Sequence, residues 1–391
     1  MKPLRILSVV AARPNFMKIA PFMRALRARG GDACDHFLVH TGQHYDAAMA
    51  QAFFEALAIP APDLNLGIGS GTHAEQVGRT MMAFEPVVRD WRPDWVVVVG
   101  DVNATLACAV TAKKEHVKLA HIEAGLRSGD LTMPEEINRM VTDRLADLLF
   151  TPDAIADANL RREGAPAASV KRVGNIMIDT LAANLAAARE LRLDDILRRH
   201  RIAADGAAAG GRQPADVAED GFAMLTLHRP ATVDRREILA PLVRFLADEL
   251  SRELPLVWAL HPRARKQLEQ FGLWRAVVGA PGILPLQPVG YREMLRLNCA
   301  CRLMLTDSGG LQEECCVLGT PCVTLRANTE RPVTLEEHGG VCRLAGNGVD
   351  QIRSVFGALR QRPRRPSRPP LWDGRTAERI AAEFARLAEG N

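Results

Sequence analysis

Nowhere in the 391 residues does an uninterrupted apolar run reach 18 positions, the length at which a stretch begins to read as a membrane-crossing helix. The opening MKPLRILSVVAARPN holds an apolar segment that is too short and too soon broken for a secretory leader. A cytoplasmic protein without a membrane partner is therefore predicted. Paired CxxC motifs with zinc spacing are also lacking. The eight cysteines mostly sit in apolar runs such as LNCACRLML, so they read as buried, reduced thiols, and no metal is expected. A strong charge imbalance is missing too, since 50 Lys and Arg face 46 Asp and Glu. The small excess of +4 is concentrated in LRQRPRRPSRPP, where Arg360, Arg362, Arg364, Arg365 and Arg368 stand without an acid. A Pro-rich basic tract without interleaved aromatics reads as a solvated connector, and no nucleic-acid partner is expected.

What the chain does contain is 47% hydrophobic residues with 25% charged, a composition that excludes disorder, collagen and coiled coil. At this length two domains are the default. Short apolar runs alternate with longer amphipathic segments, which predicts an α/β class with parallel sheets covered on both faces. RILSVV, HFLVH, WVVVVG, KLAHIEA, LLFT and SVKRVG read as strands of the first half. FAMLTL, LPLVWAL, GILPL, RLMLTD, PCVTL and GVCRL read as those of the second. Helices are predicted near 18–29, 45–57, 73–90, 104–114, 135–146, 153–162 and 175–199. AADGAAAGGRQPADVAEDG reads as a surface loop.

In open parallel sheets functional groups gather at the carboxyl ends of strands, and the polar clusters of this chain fall there. TDSGGLQEE sets Ser308, Gly309 and Gly310 at a strand-to-helix turn suited to a diphosphate, with Glu314 further along the helix within reach of a sugar or ribose hydroxyl. Arg13 and Lys18 flank Pro14 after the first strand, and Arg331 precedes Pro332; each reads either as a phosphate contact or as a surface cation. Asp101, Glu123 and Glu135 are carboxylates at or just after apolar strands, placed for acid and base work. The alternative for Asp101 is a helix N-cap, and for Glu135 and Glu136 favourable charge in a first helical turn. His228, after TL, can protonate a leaving phosphate or serve structure alone.

The ordered strings ARPNFMKIAP, GDVNATLA, HIEAGLRSGDLTMPEEINR, TLHRP, TDSGGLQEE and LGTPCVTLRANTERP resemble the non-hydrolysing UDP-N-acetylglucosamine 2-epimerase family, from residue 5 to about 382. The resemblance implies a GT-B fold of two Rossmann-like domains with the active site in the cleft between them. Residues 1–173 with a returning helix 374–391 would form the first, and 174–370 the UDP-binding second. It implies a homodimer that interconverts UDP-GlcNAc and UDP-ManNAc with no cofactor, by eliminating UDP to 2-acetamidoglucal and adding it back. By similarity Arg13, Lys18, His228, Ser308, Gly309, Gly310, Glu314 and Arg331 match UDP-sugar positions. Asp101, Glu123 and Glu135 match the acid and base carboxylates, joined by His228 as a proton donor. Three departures stand out. Gln43-His44-Tyr45-Asp46 replaces the QHR of members activated by a second substrate, so such activation is not expected. The loop between Glu123 and Glu135 is shorter than in many members. Val289 and Met294 stand where others place a glutamine and an aromatic near the uracil. Relatives of this kind also act on other UDP-2-acetamido sugars, including 2,3-diacetamido uronic acids, and a GT-B glycosyltransferase is a further alternative.

Overall fold

The structure, a computed structural model, describes residues 3–30, 33–42, 61–202, 213 and 216–389. The expected helix at 45–57 and Gln43–Asp46 lie outside these residues. The chain divides into two units, 1–180 with 369–391 and 181–368.

Unit 1 is a parallel sheet in the order β3-β2-β1-β4-β5-β6-β7. Its strands are β1 (Leu4–Val10), β2 (Cys34–His40), β3 (Leu64–Asn65), β4 (Trp95–Val99), β5 (Lys118–Ile122), β6 (Leu148–Thr151) and β7 (Val170–Arg172). β4 is WVVVV and buried at every position, because helices cover both faces of the sheet and no residue of that strand meets water. β3 escapes sequence reading because two residues leave no periodicity to detect.

Helix α1 (Arg13–Gly30) begins in the first expected site motif itself. Proline tolerates a first turn, and Asn15 Oδ1 accepts the N–H groups of Ala11 (3.3 Å) and Ala12 (3.0 Å), closing the turn from β1. Its buried Phe16, Ile19, Phe22, Met23 and Leu26 recur at helical spacing and face the sheet. Helices α2 (His73–Trp91), α3 (Asn103–Lys114), α4 (Pro134–Leu145) and α5 (Ala154–Arg162) follow. Thr72 and Glu75 form a reciprocal capping box at the start of α2. The expected helix over 175–199 is two, α6 (Ile176–Arg189) and α7 (Leu193–His200).

Unit 2 has the strand order β10-β9-β8-β11-β12-β13. These are β8 (Ala223–Thr226), β9 (Leu256–Ala259), β10 (Ile283–Leu286), β11 (Leu303–Thr306), β12 (Cys322–Thr324) and β13 (Cys342–Leu344). Counted from its own first strand this is the 3-2-1-4-5-6 order of a dinucleotide-type fold. Helices α8 (Arg236–Phe245), α9 (Pro262–Gln270), α10 (Tyr291–Ala300), α11 (Gly309–Leu318) and α12 (Val349–Leu359) pack around it.

The basic tract is largely exposed, as read in the sequence, but specific contacts also hold it on unit 2. Arg364 donates to Thr320 Oγ1 (2.6 Å), to the Asn298 carbonyl (2.6 Å) and to the Cys301 carbonyl. Arg362 pairs with Glu336 and Arg360 with Glu253. The tract lies on unit 2 because its arginines find carbonyls and acids there. Gly319 lets it approach, since a Cβ at that residue would strike the nitrogen of Pro366.

The chain then returns to unit 1 as α13 (Thr376–Glu389). Phe384 sits among Phe22, Trp95 and Phe150 at ring separations of 5.7–6.0 Å. Asp179 accepts the N–H groups of Thr376 (3.1 Å) and Ala377 (2.7 Å), capping the helix from a distant part of the chain. The cysteines are free, with Cys34 and Cys299 half-buried and the other six buried.

Candidate functional site

Each sheet changes winding direction once, between β1 and β4 in unit 1 and between β8 and β11 in unit 2. The crevice outside the carboxyl ends of the strands at such a point is where open α/β sheets receive ligands. In unit 1 it is bordered by the start of α1 and by Gly100 and Asp101.

Lys18 rises from the second turn of α1 and forms a buried ion pair with Glu123 Oε2. It is therefore not a surface cation, and its ammonium is held by a carboxylate. Glu123 is itself only 5% exposed. It occupies φ +72°, a left-handed conformation uncommon for a residue with a side chain and costing about 1–3 kcal/mol. Its backbone N–H is fixed on the Phe150 carbonyl at 3.1 Å. The second oxygen, Oε1, is buried and has no hydrogen-bond partner within the protein. A buried carboxylate oxygen left open in this way is costly unless something else fills the position.

Gly100, at φ +71°, lies against this pair, and a Cβ there would sit 3.4–3.5 Å from Lys18 Nζ, Asn15 Nδ2 and Glu123 Oε2. Asn15 Nδ2 donates to the Val99 carbonyl at 2.9 Å, joining the β1 turn to the end of β4.

Asp101 is not a cap for α3, whose N-cap position is Val102 and has no side-chain cap bond. Its carboxylate pairs with Arg139, and its carbonyl accepts from Asn138 Nδ2 at 2.9 Å, both from α4. Glu135 stands exposed in the first turn of that helix. Its neighbour Glu136 is 1% exposed, accepts the N–H groups of Ser128 (3.0 Å) and Gly129 (2.9 Å), and pairs with Arg139. Burial would raise Glu136, but the N–H donors of Ser128 and Gly129 and the Arg139 charge outweigh it and hold the carboxyl below its ordinary value.

In unit 2, His228 follows β8, and its Nδ1 lies 2.7 Å from Asp307 Oδ1 at the end of β11. Asp307 also accepts the backbone N–H groups of His228 (2.9 Å) and Arg229 (2.8 Å). Burial pushes Asp307 up, and these donors more than reverse it, leaving the carboxyl below its ordinary range. The ring of His261, which follows β9, is 5.7 Å from that of His228.

Ser308 is the N-cap residue of α11 and makes no side-chain cap bond. Gly309 admits Arg331, whose guanidinium a Cβ would strike along with Glu330 Oε1 at 2.8 Å. Arg331 is buried between two acids, with Nε donating to Glu313 Oε1 at 2.6 Å and a second ion pair to Glu330. Burial pushes Glu330 up, but Arg331, Arg326 and Arg229 bring it well below its usual value. Glu314 is only 3% exposed and lies beside Tyr291 and Asn298. Burial pushes it up to about 7, aided by the Glu313 charge and opposed by the polar groups of its two neighbours.

The two switch points thus gather the expected residues in two sets. Lys18, Asp101 and Glu123 belong to the first, with α4 carrying Glu135 tied to Asp101. His228, Ser308, Gly309, Gly310, Glu314 and Arg331 belong to the second. Arg13 opens α1. Sequence reading missed Asn15, Arg139, Asp307, Glu313 and Glu330. Arg139, inside PEEINR, was detectable in principle, since it is one turn beyond two glutamates on a helix. Val289 and Met294 are half-buried against the core of unit 2. Among the described residues no group of three or more His, Cys, Asp or Glu side chains could hold a metal ion, and no helix is long and apolar enough to cross a membrane.

Two Rossmann-like units, each presenting polar side chains at its topological switch, define a GT-B-type α/β protein. Comparison with known proteins narrows the class. Residues 25–385 match the family described as UDP-N-acetylglucosamine 2-epimerase. A UDP-N-acetylglucosamine 2-epimerase of Methanocaldococcus jannaschii is 37% identical over 96% of this chain and 98% of its own. Its crystal structure in complex with UDP-GlcNAc and UDP aligns with a TM-score of 0.86 at 36% identity, covering 98% and 100% of the two chains. A UDP-2,3-diacetamido-2,3-dideoxy-D-glucuronate 2-epimerase of Pseudomonas aeruginosa is 40% identical over 84% of each chain. The chain belongs to the UDP-N-acetylglucosamine 2-epimerase family and is an isomerase of that class.

Proposed function

We propose that the protein is a non-hydrolysing 2-epimerase that interconverts UDP-GlcNAc and UDP-ManNAc, supplying a ManNAc-type sugar for surface polysaccharide. The observation that carries the reading, within a chain of this family, is the buried Glu123 carboxylate with one oxygen paired to Lys18 and the other unpartnered. In the anti elimination the C1–O bond to the diphosphate breaks and the C2 proton passes to a carboxylate, giving 2-acetamidoglucal and UDP. The C2 proton lacks an adjacent carbonyl, so leaving-group departure must lead, and cations and N–H donors must hold the developing negative charge. Addition of UDP back to C1, with C2 protonated from the opposite face, yields the epimer and restores every atom and charge.

Asp101, Glu123 and Glu135 are the acid and base candidates. Their support is placement: two follow adjacent strands, and the third rides on the helix bound to Asp101. Arg13, Lys18, His228, Ser308, Gly309, Gly310, Glu314 and Arg331 are assigned to the UDP-sugar. His228 suits protonation of the departing diphosphate because Asp307 orients its ring. Arg331 is assigned indirectly, since Glu313 and Glu330 already occupy its guanidinium. Its charge supports the SGG turn through Gly309.

A modified UDP-2-acetamido sugar is the second reading, favoured by the 40% identity to the diacetamidoglucuronate enzyme. Turnover of UDP-GlcNAc and of the 2,3-diacetamido uronic analogue, followed by chromatography of the epimers, separates the two. A kcat/KM at least about tenfold higher for the uronic acid, a difference of about 1.4 kcal/mol, would replace the first reading by the second. Release of free sugar or transfer to an acceptor would remove both.

The protein is further proposed to be a cytoplasmic homodimer. Its free thiols suit a reducing compartment. Ile137, Met140 and Val141 of α4 are 37–48% exposed and form an apolar face suited to a second copy.

A further inference from the structure

We infer that His121 is a positioning residue for the unit 1 switch point. It holds the turn that carries Asp101 and Glu123, and its bond to the Gly100 carbonyl is the one that matters for turnover. The inference rests on the proposed epimerisation.

His121 lies within β5, two residues before Glu123, and is 0% exposed. An imidazole inside a parallel strand needs partners for both nitrogens, and here both have them. Nε2 lies 2.9 Å from the carbonyl oxygen of Gly100, at the end of the neighbouring strand β4. A carbonyl only accepts, so Nε2 carries the hydrogen in that bond. Nδ1 lies 2.6 Å from Asp143 Oδ1 on α4. Asp143 in turn accepts the N–H of Gly125 at 3.0 Å and Arg127 NH1 at 2.7 Å, and Arg127 is clamped to Glu163 at 2.6–2.8 Å.

The ring therefore joins three segments that carry the candidate acid and base groups. These are the Gly100-Asp101 turn, the Glu123-Ala124-Gly125 turn and helix α4. Glu123 sits at φ +72°, a conformation that persists only when surrounding contacts over-determine it, and Gly100 sits at φ +71°, which glycine adopts freely and which therefore has to be fixed from outside. On the other side of Gly100 stand Lys18 Nζ and Glu123 Oε2. Rotation of the Gly100–Asp101 peptide would shift the Asp101 carboxylate and disturb the Lys18–Glu123 pair together. Asn15 holds Val99 and Asn138 holds Asp101; the carbonyl between them is held by His121. Because this grip acts on the turns that carry the candidate acid and base, and not on the unit 2 residues assigned to UDP, its loss should slow turnover without weakening nucleotide binding.

Two near-isosteric substitutions divide the ring's bonds. In His121→Gln the amide nitrogen falls near the former Nε2 and can donate to Gly100. In His121→Asn it falls near the former Nδ1 and can reach only Asp143. Each variant loses one buried bond, so their thermal midpoints should fall comparably. The expected result is that Asn lowers kcat by about tenfold or more, as displaced catalytic groups do, with KM and UDP affinity within about twofold, while Gln stays within about threefold of wild type.

Equal turnover in the two variants, whether both near wild type or both equally impaired, would overturn the inference. Should the Asn variant not fold, Asp143→Ala removes only the Nδ1 partner and leaves Nε2 on the Gly100 carbonyl. It should keep kcat within about threefold of wild type, and a fall of about tenfold or more at constant KM would overturn the inference as well. Wild-type protein in the same assay keeps the two readings apart. Absence of epimer there counts against the proposed function, and only a wild-type enzyme that epimerises tests His121.

Discussion

Glu123 pairs with Lys18 through one oxygen and leaves the other open in a buried site. Glu123→Gln keeps the size and removes the proton-transfer capacity, so turnover should fall by about 10² to 10⁴, and Asp101→Asn should do the same. UDP affinity measured by calorimetry should change little. A variant with wild-type turnover would show that its carboxylate is structural. The Glu123 variant should also lose a few kcal/mol of stability, because Lys18 keeps its charge without a buried partner. Glu314 gives a pH signature. Its carboxyl is pushed up to about 7 in the folded chain against an ordinary 4.5, so the folded state binds more protons between those values and its stability falls as pH rises through them. Glu314→Gln removes that slope. The variant should be more stable than wild type above pH 7, by on the order of 3 kcal/mol, and should show no such gain near pH 4. Parallel melting curves across this range would contradict the assignment.

Among the elements, the strands were the most legible, because runs such as WVVVV and LMLT end at polar turns and need only be ordered. The two-residue β3 and the break between α6 and α7 were not, since neither leaves a periodic signal. Site legibility followed a similar division. Strand ends marked Asp101, Glu123 and His228, but the partners that decide their chemistry come from distant segments. Arg139 lies 38 residues from Asp101, and Asp307 lies 79 from His228; no local pattern encodes such pairs. The anchoring of the basic tract was hidden for the same reason, because the carbonyls that receive Arg364 are visible only in three dimensions. Helix α13 is held by the fully buried Ile380 and Phe384 and by a distant cap. Phe384→Ala should cost about 3–5 kcal/mol and Asp179→Ala about 1 kcal/mol, measured by urea unfolding. If both cost nothing, the returning helix contributes little to unit 1.

For the whole molecule, self-association and chemistry give separate tests. Ile137→Glu combined with Met140→Glu should yield a monomer in sedimentation analysis, because paired charges on an apolar face oppose burial. An unchanged sedimentation coefficient would move the interface elsewhere. The central claim, that C2 loses its proton and regains one from the opposite face, is tested by proton NMR of the purified protein with UDP-GlcNAc in deuterated water, without added metal or NAD. The account predicts that UDP-ManNAc appears and that deuterium enters C2 of both epimers, because the carboxylate that returns the proton exchanges with solvent. Epimer formed with full retention of the C2 hydrogen would contradict it.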